Sequence, residues 1–481
     1  MSVYVIGIGG TGSKIIESLI HVSAAGLIDA KETVNLFFVD ADVANGNGNR
    51  TLQVKELYDN VKSIDGLDMH QTQVQYKKDK NGNDVYKWNI LNNEINTLEK
   101  LFTNDFANGN AASKLFTVLY SGEELKEDLN KGFKGHPNIG SLVITKNINL
   151  EQDPWTSLFE DVNKEVNGGM VKIIVCGSVF GGTGAAGIPT ISKILFDKFK
   201  PVNNVSIHGI IMLPYFSFKD LEDTGLKARS EKFIENTKYA LEYYHNEKYY
   251  DYYQKLYLIG DEVLQECPVP AMGGDEQKNP ALLPELIAAL AIKDIIADNS
   301  SQKIVNYCNK YASAGQEDKD PWSGLPITLE DKNKLIQYLL YSLHYVNVYS
   351  PLFNSFINNR EIPRSESWAI NFFQNRRIDL FNNFNQEAIK NAEYFCSHFI
   401  RWMKDIFSAD PYNNFINTSL FANTSNQIRH MNDLRDLLKT RLDRKICYDK
   451  VYKSVNSYKL VSDSKSVLGT FFDVLYRECK I

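Results

Sequence analysis

The sequence predicts an α/β protein: a parallel sheet with helices on both faces, followed by a mainly helical C-terminal part. Over roughly the first 300 residues, buried-looking apolar runs alternate with amphipathic helical patterns, as expected of strands covered on both faces. Two of those runs end in glycine-dense turns that lead directly into helices. Beyond Asp298 the alternation stops, and helical periodicity with aromatics at helical spacing takes over.

Taken in order, Val3–Ile8 reads as the first strand, Ser13–Ala25 as a helix and Val34–Asp40 as the second strand. The stretch 51–150 is less regular and reads as an insertion, with a polar hairpin at Tyr76–Tyr86 around Lys-Asn-Gly-Asn-Asp. A helix at Trp155–Val166 precedes the strand Val171–Gly177 and the helix Thr183–Phe199. Strands Val205–Leu213 and Lys255–Gly260 alternate with helices Lys227–Tyr244 and Ala281–Ala297. A Pro/Gly-rich joint at Glu317–Thr328 and helical patterns at Leu335–Tyr349, Arg377–Phe407 and Ile428–Ile446 complete the chain. The expected division is therefore 1–299 and 300–481.

Bulk composition narrows the class without naming a function. The 481 residues are 43% hydrophobic and 23% charged, as in ordinary folded proteins, and the chain is long enough for two domains. A net charge of −6 gives no electrostatic footprint for nucleic acid or an anionic membrane. No apolar run approaches the roughly 18 residues that a membrane span needs, and no secretory or transit pattern precedes the first strand. The six cysteines form no Cys-x-x-Cys pair and read as the reduced thiols of a cytoplasmic protein.

The first glycine turn, Gly7-Ile-Gly-Gly-Thr-Gly12, has three readings. Gly7, Gly9 and Gly12 spell the dinucleotide fingerprint after a strand and before a helix, and Asp40 ends the second strand as a ribose acid would. Asp40 lies 28 residues beyond Gly12, against the usual spacing of about 20. A P-loop needs its lysine directly after the last glycine, but here the order is Gly12-Ser13-Lys14. One residue on a helix turns a side chain by about 100°, so Lys14 should point away from a phosphate. A tight turn without ligand would carry four glycines in six residues at a considerable entropic cost. A second turn changes the balance. After the Val171–Gly177 strand, Gly181-Gly182-Thr183-Gly184 opens another helix. Its amides and the Thr183 hydroxyl form an anion nest at a helix N-terminus. Two nests suit a ligand with a long phosphate chain.

On these residues the chain resembles the tubulin/FtsZ superfamily, and specifically its divergent bacterial tubulin-like members. The superfamily signature Gly-Gly-Gly-Thr-Gly-Ser/Thr-Gly stands here as Phe180-Gly-Gly-Thr-Gly-Ala-Ala186, with Pro189 following. Gly7–Ile20 is similar to the first phosphate loop, Phe37–Asp42 to the second, and Met212–Phe218 to the segment before the ribose loop. Leu256–Glu262 and Asn279–Ile296 resemble the next strand and the central helix. The resemblance covers about residues 1–300.

It implies GTP or GDP with Mg2+. Gly9, Gly10, Thr11 and Gly12 would meet phosphates from the first loop, and Gly181, Gly182, Thr183 and Gly184 from the second. Asp40 and Asp42 would face the phosphates and the metal, Asn279 the guanine edge and Arg229 the ribose loop. Asp40 and Asp42 also fit plain turn carboxylates at a strand end, and Asn279 before Pro280 fits a helix N-cap. Phe180 and Ala186 each replace a family glycine and place a side chain near the phosphates. The acidic loop that completes a GTPase site between subunits is not spelled out. Asp298 is its nearest stand-in, with Asp294 four residues earlier. The resemblance further implies head-to-tail self-assembly, with GTP hydrolysis as its accompaniment. Two other readings stay open: a non-catalytic GTP-gated scaffold that binds a protein partner through its helical C-terminal half, and a dinucleotide-dependent enzyme.

Overall fold

The computed structural model describes residues 1–91, 97–102, 111–133, 135–218, 230–267, 274–297, 304–309, 327–374, 380–409, 415–422, 427–438, 448–458 and 467–481. Strands β1 (Ser2–Ile8), β2 (Thr33–Asp40), β3 (Gln73–Gln75), β4 (Lys87–Asn89), β5 (Val171–Ser178), β6 (Val205–Met212), β8 (Lys255–Asp261) and β10 (Ile304–Asn309) form one sheet. Short strands β7 (Phe216–Phe218) and β9 (Gln265–Cys267) pair separately. The main order is β10-β8-β6-β5-β1-β2-β3, with β4 also on β2, and every ladder is parallel. From β1 the chain winds outward to β2 and β3; from β5 it winds the other way. The order reverses between β1 and β5, and such a switch point opens a crevice at the strands' carboxyl ends.

Alternating side chains feed two apolar layers. Val3 and Val5 of β1 face one cluster, while Tyr4, Ile6 and Ile8 face the other. The first layer takes α1 (Gly9–Ala24) and α2 (Gly46–Lys62); the second takes α3 (Pro137–Asn147), α4 (Trp155–Glu165) and α5 (Gly182–Phe199). The long helix α6 (Ser230–Asn246) follows β7. Helix α7 (Leu283–Ala297) is apolar on all sides, and Leu286 through Ile292 are each at most 1% exposed. A helix of that kind must be covered all round. The sheet covers one side of α7, and C-terminal helices extend the same apolar cluster beyond it.

Those helices are α8 (Leu329–His344), α9 (Ser350–Asn359), α10 (Asn383–Ala409), α11 (Tyr448–Ser457) and α12 (Val467–Glu478). A capping box of Thr328 and Asp331 starts α8, which continues through a π turn at Tyr345–Tyr349 into α9. The 27-residue α10 lies against α1 and α2. Trp402 Nε1 donates to Ser18 Oγ at 3.0 Å, and buried Glu17 receives both Arg50 (2.7 Å) and Arg401 (3.3 Å). His21 sits in this seam with Trp402 stacked on it at 4.9 Å, and neither ring nitrogen has a hydrogen-bond partner. An orphaned buried polar group costs about 1–3 kcal/mol. His21→Leu is therefore expected to raise stability by about 1 kcal/mol in urea unfolding, and a loss of that size would contradict the packing described.

Four elements differ from the sequence expectation. Strand β10 (Ile304–Asn309) extends the main sheet beyond Asp298, where only helical pattern was expected. The helical pattern at Ile428–Ile446 is, over its described part, a bridge of Ile428 to Phe421 followed by a 3-10 turn at Met431–Asp436. Here the Ile428 and Arg429 amides donate to Asn347 Oδ1 and the Leu420 carbonyl, and these pairings hold the segment extended against Phe421. Of the pattern Arg377–Phe407, residues 377–379 lie outside the described residues, 380–382 form a turn, and the helix runs from Asn383, where Asn382 Oδ1 accepts from the Asn385 amide at 2.7 Å. Within 51–150, residues 51–62 belong to α2, and β3 joins the main sheet, so the regular fold reaches further than the composition indicated. The polar hairpin is present: Lys78 bridges Asp84 around a turn in which Asp79 accepts from the Asn81 and Asn83 amides. Most of the Glu317–Thr328 joint lies outside the described residues.

Candidate functional site

The crevice at the switch point is a cavity walled by both glycine turns. Gly9, Gly10 and Thr11 line it from the end of β1, and Gly181, Gly182, Thr183 and Gly184 from the end of β5. Gly9 has φ +69°, a left-handed conformation that disfavours any side chain, and a Cβ there would touch Thr183 at 3.4 Å. The two turns thus approach each other directly. Both lead into helix N-termini, since α1 starts at Gly9 and α5 at Gly182. No side chain caps either start, so the first-turn amides are available to an anion.

Asp40 and Asp42 line the same cavity. Asp40 accepts from the Asp42 amide and from Asn45 Nδ2, each at 3.1 Å. Burial pushes its carboxyl up to about 7, and burial also raises Asp42. Asp42 accepts from the Gly274 amide at 2.6 Å and the Ala44 amide at 3.1 Å. The turn-carboxylate role and the cavity position therefore coexist in the same residues. Among the described residues no group of three His, Cys, Asp or Glu could hold a metal by itself. Mg2+, however, is commonly held by one or two carboxylates with phosphate oxygens and water completing the shell. Asp40 and Asp42 fit that donor set.

Gly12 and Asn279 are not brought to the cavity wall. A Cβ on Gly12 would lie 2.8 Å from Gly7 Cα and 3.0 Å from the Cys176 carbonyl oxygen, so this glycine serves close helix–strand packing. Asn279 is buried behind the loop, its amide donating to Asn47 Oδ1 at 3.1 Å and its carbonyl accepting from Arg50 at 2.9 Å. Arg229 and Asp298 lie outside the described residues. Asp294 accepts from Lys255 Nζ at 2.7 Å and from the Tyr257 hydroxyl, which ties down the end of α7. Lys14 points away from the cavity and pairs with buried Glu285, as its late position in the turn predicts.

The two substitutions in the second turn are absorbed by packing. Phe180 is 3% exposed and packs on Phe216 (5.4 Å) and Phe233 (5.1 Å), forming an apolar wall of the cavity. Ala186 faces Gly140 of α3, where a second Cβ would come within 2.7 Å.

Several lining residues carry no motif. Asn45 caps α2 by accepting from the Asn47 and Gly48 amides, and it bridges Asp40 to Gln277. Lys131, Gly132, Phe133 and Gly135 reach the cavity from the insertion. Gly132, with φ +78°, would place a Cβ 3.9 Å from both Asp42 and Thr183. Lys131 is the one lysine or arginine in the lining among the described residues. The paired glycines of Gly132–Gly135 were the available signal, and they lay in a stretch that reads as irregular.

This sheet order, with both glycine turns at its switch point before a buried central helix, is the parallel α/β arrangement that the sequence resemblance implies. Neither a family model nor a curated protein matches the chain. Among solved structures it is similar to CetZ from Methanosaeta thermophila, over 63% of this chain and 57% of that one, at 14% identity and a TM-score of 0.32. CetZ2 from Haloferax volcanii, as a GTPgS-bound protofilament, matches 62% of this chain and 58% of its own at 14% identity and a TM-score of 0.29. For CetZ1 from Haloferax volcanii, as a GDP-bound monomer, the values are 54%, 51%, 12% and 0.25. In each case the chain spans little more than half the length of the structure it matches. No helix among the described residues is long and apolar enough to cross a membrane.

Proposed function

We propose that the protein binds GTP or GDP with Mg2+ and that bound nucleotide controls head-to-tail self-assembly. The observation that carries this reading is the convergence of two glycine turns, buried Asp42 and half-buried Asp40 on one crevice at the sheet's switch point. Gly9–Thr11 and Gly181–Gly184 would supply amides to the phosphate chain. Asp40 and Asp42 would hold Mg2+, which neutralises phosphate charge when bound. Lys131 adds the cation that Lys14 cannot supply, and the Phe180 wall suits a flat base. The choice of guanine, and of assembly, rests on the sequence resemblance.

Labelled GTP is expected to bind with Mg2+ and to be displaced by unlabelled GTP and GDP but not by NAD. Lys131→Ala should weaken GTP about tenfold or more, the worth of one charge-assisted phosphate contact. The double change Gly182→Ala with Thr183→Val should abolish GTP binding. If that variant binds GTP normally, or if NAD competes, the dinucleotide reading replaces this one.

The clamp of Lys255 and Tyr257 on Asp294 favours the reading in which nucleotide is bound without rapid turnover. Without a positioned acid, hydrolysis is slow. Sedimentation with GTP and with a slowly hydrolysed analogue should give equal pellets in that case. Pelleting that depends on neither nucleotide would remove the assembly part of the proposal.

A further inference from the structure

The turn 274–278, which leads toward α7, is pressed onto the start of α2. Gly274 has φ +76°, and its carbonyl accepts from the Gly46 and Gln277 amides, each at 3.1 Å. A Cβ on Gly46 would collide with the Asp275 carbonyl, so the two backbones touch directly. The turn thereby carries half-buried Gln277 into the wall of the cavity.

A chain of bonds with fixed polarity orients the Gln277 side chain. Asn45 is buried, and its Oδ1 accepts from the Asn47 amide at 2.9 Å and the Gly48 amide at 3.2 Å. Backbone amides only donate, so this atom is the oxygen, and the Asn45 nitrogen faces the other way. There Nδ2 donates to Asp40 Oδ2 at 3.1 Å and to Gln277 Oε1 at 3.2 Å. Both hydrogens of Nδ2 are then used. Gln277 meets them with its carbonyl oxygen, and its own Nε2 hydrogens are turned away from Asn45. No protein group accepts from them among the described residues. The result is an uncharged donor of fixed orientation, joined through one side chain to Asp40.

We infer that Gln277 Nε2 donates to an oxygen of the terminal phosphate and makes the site prefer the triphosphate to the diphosphate, which rests on the nucleotide reading above. Gln277 belongs with the carboxylates, since its bond runs through Asn45 to Asp40. Phosphate oxygens brought beside Asp40 and Asp42 need donors there, because like charges at short range repel. A neutral amide supplies such a donor without closing an ion pair on either carboxylate, as a lysine or arginine in its place would. Asp40 and Asp42 therefore stay available to Mg2+. The guanine carbonyl is the other acceptor this donor could serve, but the Phe180 wall is the part of the lining suited to a base.

Affinities of the full chain for labelled GTP and labelled GDP, each with Mg2+, test this. Gln277→Leu keeps the side-chain volume and removes the donor. It is expected to weaken GTP about tenfold, as one lost hydrogen bond to a charged group does, and GDP less than about twofold. Gln277→Glu sets a carboxylate against the phosphate and should weaken GTP more than Gln277→Leu does, again with GDP held. Retained GDP affinity is the check that each variant is folded. Unchanged GTP affinity in Gln277→Leu overturns the inference. Equal weakening of GTP and GDP in both variants also overturns it, by assigning the amide to the base or the ribose. Wild-type protein that binds neither nucleotide removes the proposed function and this inference with it, a result distinct from the other two.

Discussion

Gly184→Ala is expected to be among the most damaging small substitutions at the described glycines. Its Cβ would collide with the Ser178 carbonyl oxygen and lie 2.9 Å from the Ser178 amide nitrogen. Both obstacles are backbone, so no rotamer change relieves them. The cost should reach about 3 kcal/mol, the upper range for overpacking, and guanine nucleotide binding should disappear with it. Gly168→Ala is the matched control: nothing lies within 4 Å of its Cβ, and its effect should stay within about 0.5 kcal/mol. Urea unfolding and labelled-GTP binding would measure both. Equal stability of the two variants would mean that the second turn does not have the close geometry described.

Acid is expected to unfold this protein steeply between about pH 6.5 and 4, because five imidazoles are held neutral by burial. His70 and His208 are pushed down to about 3 and His344 and His398 to about 4, and His21 lies well below its ordinary value. Each takes up a proton in the unfolded chain below about 6.5 but not in the fold. Their stabilising contribution is therefore complete above that pH and is lost as pH falls toward their folded values. Four carboxyls act in the opposite sense. Burial raises Asp40 to about 7 and Asp473 to about 6, and it raises Asp42 and Asp405 as well, so these carboxyls favour the fold at low pH and lose that contribution as pH rises. The imidazoles outnumber the raised carboxyls, so the balance near pH 5.5 is a net uptake of protons on unfolding and stability falls with acid. His21→Leu should lower that uptake by about one proton. A flat stability profile from pH 7 to 5 would contradict the burial of these rings.

Much of the site was legible because glycine has few other reasons to recur in such a pattern. Gly9, Gly10, Thr11 and Gly181–Gly184 follow apolar runs and precede helices, so local chemistry alone marked them. Asp40 and Asp42 were legible as strand-end acids. Lys14 was correctly excluded by helix geometry. Asn45, Lys131 and Gly132 were not legible, since each reaches the cavity from a segment with no periodicity. Gly12 was placed with the ligand contacts because spacing cannot distinguish a glycine that admits a phosphate from one that admits a neighbouring strand.

The sequence by itself determined the alternation of strands and helices, the two glycine turns and a mainly helical C-terminal region, but not β10, which joins the sheet beyond Asp298. These follow from local rules: apolar period, turn chemistry and the conformational freedom of glycine. Tertiary structure decided the rest. It set β1 beside β5, although 162 residues lie between Ile8 and Val171, and so joined the two turns into one cavity. It placed α10 against the helix that carries the first turn, through Glu17, Ser18 and His21. Such long-range pairings depend on the shape complementarity and burial of whole faces, and no local window of residues encodes them.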